Sequence, residues 1–429
     1  MVTIGKMPRK SKRFFRPVAG HFAFGGFEHF WQLVLALTIS HAATIERLAE
    51  LLRGPHATHR TNHGEFLWRS DWDESWVLQQ IALDTLRRLD RLASRGVADR
   101  RVYFIIDDTQ TLKRAKKMQA VGKLYHHATG TWGHGHTILK AALHVHGVTI
   151  PWASVLYVKK HDASKLNVPY TKLTQMAAAI IRDAALPTHL NVTVLFDAFY
   201  LCPTVAHACA DKGWHYIGVG KSNRCFLPDR SDGTTKKLGK YGANVLRREG
   251  VWRTIEGLKS SHRYRVAERV GHLRGLGEVK VVFSRRRGET KTIALVTDDP
   301  HATATGVVRQ YLKRWAVELL IKEEKQHLGL SDYRVLRYRA VVRHLHLVDV
   351  AYACLTHLAL TEHKSEDAQG DKHTKSKIRR GGTKPLILPS ISQLKSRMRQ
   401  VLWREAIEDV VKVSHERPVI RRLEKLMAA

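Results

Sequence analysis

Acidic residues follow two apolar runs of the sequence, at positions where a metal-dependent phosphoryl-transfer site would need them. Asp107 and Asp108 come after residues 103–106, and Asp197 comes after residues 192–196. Hard divalent cations prefer oxygen ligands, and such a site needs carboxylates that converge from separate elements. Because side chains alternate along a strand, Asp107 and Asp108 point to opposite faces, and at most one enters a given site. A single acid after a strand is also a common helix N-cap, so neither position is decisive alone.

A third acid lies in a helical pattern together with a phenol and several cations. Four residues of this pattern have offsets of 0, 3, 7 and 14, namely Tyr311, Arg314, Glu318 and Lys325. At about 100° per residue, these offsets place all four on one helical face, with Lys322 beside them. The pattern is typical of a surface network of ion pairs. It is equally typical of a metal-binding glutamate that is flanked by groups gripping DNA phosphates.

These segments together resemble the insertion-sequence DDE transposases. The stretch YLKRWAVELLIKEEK, with Trp315 after the arginine and Leu-Gly-Leu at 328–330, resembles the Tyr-Arg-Glu-Lys signature of a large branch of that family. IIDDTQ resembles the first-acid strand, in which the acid that precedes threonine binds the metal, and this selects Asp108. VLFDAFY, followed by GWHYIGVGKSNR, resembles the second-acid strand and the strand after it, and this selects Asp197. The resemblance covers residues 100–330, and the order Asp, Asp, long insertion, Glu also agrees.

The resemblance implies an α/β fold and a reaction. The fold has an RNase H-like, mixed-sheet catalytic core that is interrupted by a β-rich insertion, with helical N- and C-terminal regions. Asp108, Asp197 and Glu318 would hold two Mg²⁺ (or Mn²⁺) ions, one to activate water or a 3′-hydroxyl and the other to stabilise the leaving oxygen. The protein would be an endonuclease and strand transferase that cuts at the terminal inverted repeats of a transposon and joins its 3′-OH to target DNA.

The resemblance also implies partners and further contacts. Tyr311, Arg314 and Lys325 would contact phosphates near the cut. Two transposon ends must meet, so we expect a homodimer on double-stranded DNA, in the cytoplasm of a bacterium and associated with the nucleoid. In relatives of this branch the element can leave through a DNA hairpin, with an aromatic side chain stacked on a flipped base. Trp315 and Trp252 are candidates by position, but Trp252 matches no motif of the family, so hairpin chemistry stays open.

Other side chains, most of them cations outside the three motifs, are also predicted to contact DNA. They are Lys113, Arg114, Lys116 and Lys117 after the first acid, Arg285, Arg286 and Arg287 in the insertion, Arg9, Lys10, Lys12 and Arg13 in the N-terminal arm, and Lys322 with Trp315 near Glu318. The alternative for each group is an ordinary solvated surface. Three His-x-His pairs, at 134–136, 144–146 and 344–346, lack a third ligand at a suitable spacing for zinc. We interpret them as polar packing or DNA contacts.

The overall charge agrees with a polyanionic partner. The 429 residues include 72 Lys and Arg against 39 Asp and Glu, a net charge of +33. Such an excess repels itself in a compact protein, so nucleic acid is the first candidate partner and an anionic membrane surface the second. An apolar share of 44% is too high for a disordered polycation. Four cysteines without a C-x-x-C pair disfavour a zinc ribbon, a thioredoxin motif and a secreted disulfide scaffold. The apolar stretch at 30–39 is too short to span a bilayer, so we expect no membrane association.

The patterns along the chain predict five segments. Residues 1–96 form a basic arm and a helical DNA-binding domain, with one helix from Glu74 to about residue 94. Residues 97–224 form the first part of the catalytic core, in which two β-like runs meet at the hairpin signal His146-Gly147. Residues 225–298 are the β-rich insertion, 299–360 the second part of the core, and 361–429 a linker and a C-terminal helical region.

Two other functions fit the same residues. One is a DNA nuclease that cuts but does not join strands. The other is an inactive, transposase-derived regulator that only binds DNA. The presence of all three acids favours an active enzyme over the regulator.

Overall fold

The computed structural model describes residues 4–23, 25–53, 57–93, 101–115, 117–126, 129–229, 233–258, 260–369 and 386–414. The chain divides into two compact units. The first, here called the helical unit, comprises Met1–Thr85, Glu323–Gly381 and Ile387–Ala429. The second, here called the sheet unit, comprises Leu86–Lys322 and Gly382–Leu386.

The described residues form thirteen α-helices and three short segments of other helical types. The α-helices are α1 (Arg9–Phe15), α2 (Gly26–Ile39), α3 (Ile45–Ala49), α4 (Arg60–Arg69), α5 (Glu74–Ala93), α6 (Lys160–Leu166), α7 (Leu173–Asp183), α8 (Pro203–Asp211), α9 (Leu238–Glu249), α10 (Ala304–Tyr311), α11 (Trp315–Glu323), α12 (Tyr338–Gln369) and α13 (Ile391–Ser414). A 3₁₀ segment at Arg16–His21 follows α1, and another at Leu312–Arg314 joins α10 to α11. A π-helical segment at Glu324–Leu328 follows α11.

Twelve strands of the described residues form one mixed sheet. They are β1 (Arg101–Leu112), β2 (Gly122–His126), β3 (Thr131–Val145), β4 (Val148–Tyr157), β5 (Asn191–Phe196), β6 (His215–Gly220), β7 (Cys225–Pro228), β8 (Lys236–Lys237), β9 (Val251–Glu256), β10 (Ser261–Leu273), β11 (Gly277–Arg286) and β12 (Ile293–Thr297). The order is β2-β3-β1-β5-β6-β12-β11-β10-β7-β8, with β4 also paired to β3 and β9 to β10. The pairs β1–β5 and β5–β6 are parallel, and the other pairs are antiparallel.

The parallel pair β1–β5 positions the first two acidic sites. Its register ends with Ile106 beside Phe196, so the next residues along the two strands, Asp107 and Asp197, lie at one level. The acids that follow the apolar run do not mark the end of β1. Antiparallel pairing with β3 carries the strand on to Leu112, because β3 is long enough to offer partners beyond the end of β5.

The predicted insertion is continuous with the core sheet. Its strands β7–β11 reach the core through β12, which pairs with both β11 and β6. It also contains a helix, α9, which packs against β10, β11 and β12 through Val245 and Leu246 among its buried residues. The hairpin at His146-Gly147 is confirmed, since both residues have positive φ angles of 51° and 86° and join β3 to β4. Positive φ at both central residues is the geometry of a tight two-residue hairpin turn.

The helical unit is built around α2, which is buried along most of its length and contacts α3, α4, α12 and α13. The N-terminal basic segment is part of this fold, because Phe14 and Phe15 of α1 are buried and α1 packs against α12. The predicted core segment 299–360 is divided between the units, since the residues from Glu323 onward belong to the helical unit. The first part of the predicted linker is helical in α12, and residues 370–385 lie outside the described residues.

No helix within the described ranges is both long and apolar enough to cross a membrane.

Candidate active site

Arg314 bridges two carboxylates that come from different elements. It lies in the 3₁₀ segment between α10 and α11, which packs against β1. Its Nη1 donates to Oδ2 of Asp107 at 2.8 Å, and its Nη2 donates to Oε1 of Glu318. The side chains of Arg314 and Asp107 are only 16% and 17% exposed, and that of Glu318 is 29% exposed. The arginine is therefore the counter-ion of a half-enclosed acidic centre.

Burial and several neighbouring charges shift the pKa of Asp107. Burial raises its pKa to about 7, against the opposing effect of Arg314, and the negative charges of Asp197 and Asp108 raise it further. The backbone N–H of Asp108 donates to Oδ1 of Asp107 at 2.9 Å. The charges of Asp108 and Asp197 thus act through space on Asp107, at the level where β5 ends beside β1.

Asp197 is held by the turn that follows β5. Its Oδ1 accepts hydrogen bonds from the backbone N–H groups of Phe199 at 2.9 Å and of Tyr200 at 3.4 Å. Such side-chain turns are common for aspartate at the end of an element and fix the carboxylate in place. Tyr200 itself is fully buried and donates its hydroxyl to Oδ1 of Asp108 at 2.8 Å. Burial, with the charge of Asp108, raises the pKa of Tyr200 far above its usual range, so the phenol remains a donor.

The two acids of β1 face opposite sides of the sheet, as the alternation predicts. Asp107 is paired across the sheet with Lys140, and Asp108 with Leu139. Asp107 shares its face with Arg314 and Glu318, whereas Asp108 contacts Tyr200. The selection of Asp108 as the metal ligand stays a prediction. The motif did not select Asp107, which shares Arg314 with Glu318. Sequence reasoning also missed Tyr200, although it lies within the VLFDAFY segment.

Tyr311 also belongs to this centre. Its ring lies 5.7 Å from the guanidinium of Arg314. Burial raises its pKa to about 12, with Arg314 opposing this and Asp197 adding to it. The structure therefore brings Tyr311, Arg314 and Glu318 together as the helical spacing predicts, while Trp315 and Lys322 are exposed.

The spacing does not extend to Lys325 as one regular helix. A 3₁₀ segment precedes α11 and a π-helical segment follows it, so the residues from Glu324 onward depart from 100° per residue. Lys325 lies in the π-helical segment, in the helical unit, and burial lowers its pKa. Its role as a phosphate contact stays a prediction.

The other predicted DNA-binding cations lie on several surfaces. Lys113, Arg114 and Lys117 belong to the loop between β1 and β2, and Lys116 lies outside the described residues. Arg285 and Arg286 end β11, where Nη2 of Arg286 donates to His262, and Arg287 follows in an exposed turn. Lys10 is exposed on α1. Arg9, Lys12 and Arg13 of α1 line a cavity of about 1080 Å³ in the helical unit, together with Lys6 and Arg16.

The acidic centre has the carboxylate ligands that a hard divalent cation needs, but these carboxylates bind protein groups instead. Carboxylates are the ligands that Mg²⁺ and Mn²⁺ prefer. Within the described ranges, no three His, Cys, Asp or Glu side chains form a group that could hold a metal ion. The reason is visible in the contacts, because Arg314 pairs with Asp107 and Glu318 while Asp108 is bonded to Tyr200. A metal ion that binds through Oδ2 of Asp107 or Oε1 of Glu318 would have to take the place of Arg314.

The sheet is mixed, with acids on one strand and directly after the parallel strand beside it, and a third acid lies on α11, which follows the 3₁₀ segment that packs against β1. This arrangement is that of an RNase H-like nuclease fold. The sequence profile of the family described as DDE superfamily endonuclease matches residues 33–272, more than half of the chain. The protein therefore belongs to the DDE superfamily endonucleases, which act with divalent metal ions. The matched region includes Asp107, Asp108 and Asp197 and ends before Glu318. A comparison with curated proteins found no match.

Proposed function

We propose that the protein is the DNA transposase of a bacterial insertion sequence, which cuts DNA at terminal inverted repeats and joins the freed 3′-OH to target DNA. The observation that carries the proposal is the contact of Arg314 with both Asp107 and Glu318. It unites the Tyr-Arg-Glu-Lys segment with the strand of the first acid, in a chain that belongs to the DDE endonucleases.

Asp108, Asp197 and Glu318 are the proposed ligands of two Mg²⁺ (or Mn²⁺) ions. When bound, such ions activate a water or a 3′-hydroxyl and stabilise the leaving oxygen. Neighbouring residues of the chain hold two of these proposed ligands in position. Tyr200 orients Asp108 through its hydroxyl, and the backbone N–H groups of Phe199 and Tyr200 fix Asp197.

In this proposal Arg314 changes its binding partner when DNA binds. Its planar guanidinium binds carboxylates and phosphates with the same fork of N–H donors. A phosphate of the DNA can therefore take the place of Asp107 and Glu318 as its partner. Glu318 then becomes available to a metal ion when the substrate is in place.

Cations on several surfaces support a DNA substrate. Beyond the acidic centre, we propose that the β1–β2 loop, Arg285–Arg287, and the cavity lined by Arg9, Lys12 and Arg13 contact phosphates. The charge of +33 supports this, because neutralisation of phosphates releases counterions and drives binding. A homodimer on DNA would hold two ends for one reaction.

The products of the reaction test this function directly. The purified protein is incubated with Mg²⁺, a target plasmid and end-labelled duplexes that carry the DNA flanking the gene. The proposal predicts labelled 3′ ends covalently joined to the plasmid. Cleaved ends that never appear in the plasmid would instead identify a nuclease without strand transfer. Binding without any cleavage would identify a DNA-binding regulator.

A further inference from the structure

The hairpin of β2 and β3 exposes a pair of aromatic side chains at the edge of the sheet. Trp132 is 67% exposed and Tyr125 is 40% exposed. The two residues are direct partners across the hairpin, and their ring centroids are 5.5 Å apart at an interplanar angle of 66°. The ammonium group of Lys123 lies 5.2 Å from the centroid of the Trp132 ring. This pair is open to a ligand rather than part of the protein core.

The strand register places these side chains on the face of the sheet that carries Asp107. Asp107 is the partner of Lys140 on β3, and Trp132 precedes Lys140 by eight residues, an even number. The register of β1 with β3 runs without a shift from His144 to Gly135. Since direct partners point to one face and alternate residues share it, Tyr125 and Lys123 lie on this face as well.

A basic loop covers this face between the acidic centre and the aromatic pair. His136 lies on the same face, and its Nε2 donates to the backbone carbonyl of Gln119 at 2.9 Å. The loop that contains Gln119 also carries Lys113, Arg114 and Lys117. No acidic residue occurs in the sequence from Thr109 to His161. The residues between Asp107 and Trp132 thus include Lys113, Arg114, Lys117 and Lys123, and after Asp108 they include no acidic residue.

We propose that Lys123, Tyr125 and Trp132 form a platform on which an unpaired base of the bound DNA stacks. Every base has a π-face, and exposed aromatic rings beside cations bind unpaired nucleotides in many single-strand binding surfaces. A rise of about 3.3 Å per residue puts Trp132 about 26 Å along the sheet from Asp107. That distance corresponds to about eight base steps, so the platform holds DNA that flanks the cut. The inference rests on the proposed DNA-cleaving function and adds the recognition of an unpaired nucleotide.

Photocrosslinking to 5-iododeoxyuridine tests the platform, because this base crosslinks to an aromatic side chain that stacks on it. The iodinated base is moved through a short single-stranded gap in a duplex of the flanking DNA, and the crosslinked peptide is identified by mass spectrometry. We expect a crosslink to Trp132 at one or two gap positions. We also expect Trp132→Ala to weaken binding to the gapped duplex about tenfold and to the fully paired duplex less than twofold. Trp132→Phe should keep most of the affinity.

The matched control is Trp403→Ala, which removes an exposed tryptophan from the helical unit, where the side chain is 43% exposed. This variant should bind both duplexes as the wild-type protein does. Wild-type protein that binds and cuts DNA while Trp132 gives no crosslink, or Trp132→Ala that weakens both duplexes equally, would overturn the platform and leave the proposed function standing. A wild-type protein that binds neither duplex would overturn both.

Discussion

Arg314 organises the acidic centre at the scale of single residues. It lies in the segment that packs against β1, pairs with Asp107 and Glu318, and lies beside the ring of Tyr311. Its own pKa reflects a balance in which burial lowers it and the neighbouring phenol and carboxylates raise it more strongly. The guanidinium therefore stays charged. In the proposed site it competes with a metal ion for the carboxylate of Glu318 when DNA is absent.

Removal of this competing charge should make metal binding easier. We expect Arg314→Gln to bind Mn²⁺ about tenfold more tightly than the wild-type protein without DNA. The reason is that a cation within hydrogen-bond distance of two half-buried carboxylates opposes a second cation by more than about 1.4 kcal/mol. Electron paramagnetic resonance of free Mn²⁺ during a titration measures this affinity, and no DNA cleavage is involved.

The control for this titration is Arg309→Gln, which removes an exposed cation from the neighbouring helix α10. It should leave the Mn²⁺ affinity near that of the wild-type protein. Addition of DNA should tighten Mn²⁺ binding to the wild-type protein more than to Arg314→Gln. In the wild-type protein DNA draws Arg314 away from the carboxylates, whereas the variant has no guanidinium to release. Equal Mn²⁺ affinities of Arg314→Gln and the wild-type protein would contradict the competition.

At the scale of elements, a buried arginine ties the helices of the helical unit together. Arg343 of α12 is fully buried, and its Nη1 and Nη2 donate to the backbone carbonyls of Phe66, Leu67 and Trp72. Its Nε donates to Glu74 at 3.3 Å. One side chain thus satisfies the carbonyl groups at the end of α4 and the carboxylate at the start of α5.

Loss of the Arg343 side chain should therefore destabilise the helical unit. We expect Arg343→Ala to lower the free energy of unfolding of the helical unit by about 3–5 kcal/mol, because it leaves buried carbonyls and a carboxylate without their partner. The exposed Arg339, one helical turn earlier on α12, offers the matched substitution Arg339→Ala, which should cost less than about 1 kcal/mol. Urea unfolding followed by circular dichroism distinguishes the two, and similar midpoints for both variants would refute the role of Arg343.

Local sequence patterns predicted the turns and helices whose geometry is determined by residues adjacent in the chain. The hairpin at His146-Gly147 and helix α5, observed at Glu74–Ala93 and capped by Asp73, follow from turn chemistry and start signals. Residue spacing also placed Glu318 on one face with Arg314. Three features depend on distant partners and could not be predicted in this way. They are the extension of β1 along β3, the bond of Tyr200 to Asp108, and the 3₁₀ and π-helical segments on either side of α11.

At the scale of the whole molecule, both units contain histidines that are held neutral by burial. Burial lowers the pKa of His63 in the helical unit to about 4 and those of His136 and His144 in the sheet unit to about 4 and about 3. The neighbouring His29 imidazole also lowers the pKa of His63, because two protonated rings would repel each other. In a molecule of net charge +33, further cations in the interior would add to the repulsion between like charges.

Stability should consequently fall in mild acid. The unfolded chain takes up protons on these histidines near their ordinary value of about 6.5, whereas the folded chain does so only near pH 3–4. The stabilisation is therefore complete above about pH 6.5 and is lost as the pH falls towards 4, by about 1 kcal/mol per pH unit for each histidine. Urea midpoints between pH 7 and pH 4.5 measure the slope.

Two histidines on one strand provide a comparison for this pH dependence. His136 is buried, and His134, two residues away on β3, is exposed. His136→Gln should make the decrease of stability with falling pH shallower, while His134→Gln should leave the slope unchanged. The same slope in His136→Gln and the wild-type protein would argue against burial of a neutral histidine as its cause.

The acidic residues themselves provide the most direct test of a DDE endonuclease site in this chain. Asp108→Ala, Asp197→Ala and Glu318→Ala are compared with the wild-type protein for Mg²⁺-dependent cleavage of the flanking DNA, with DNA affinity measured alongside. Asp211→Ala is the control, since Asp211 forms an exposed ion pair with Arg182 in the same unit. We predict that each of the first three variants binds DNA with nearly wild-type affinity and loses cleavage by at least about a thousandfold, while Asp211→Ala cuts normally. Full cleavage by any one of the three would contradict the proposed site.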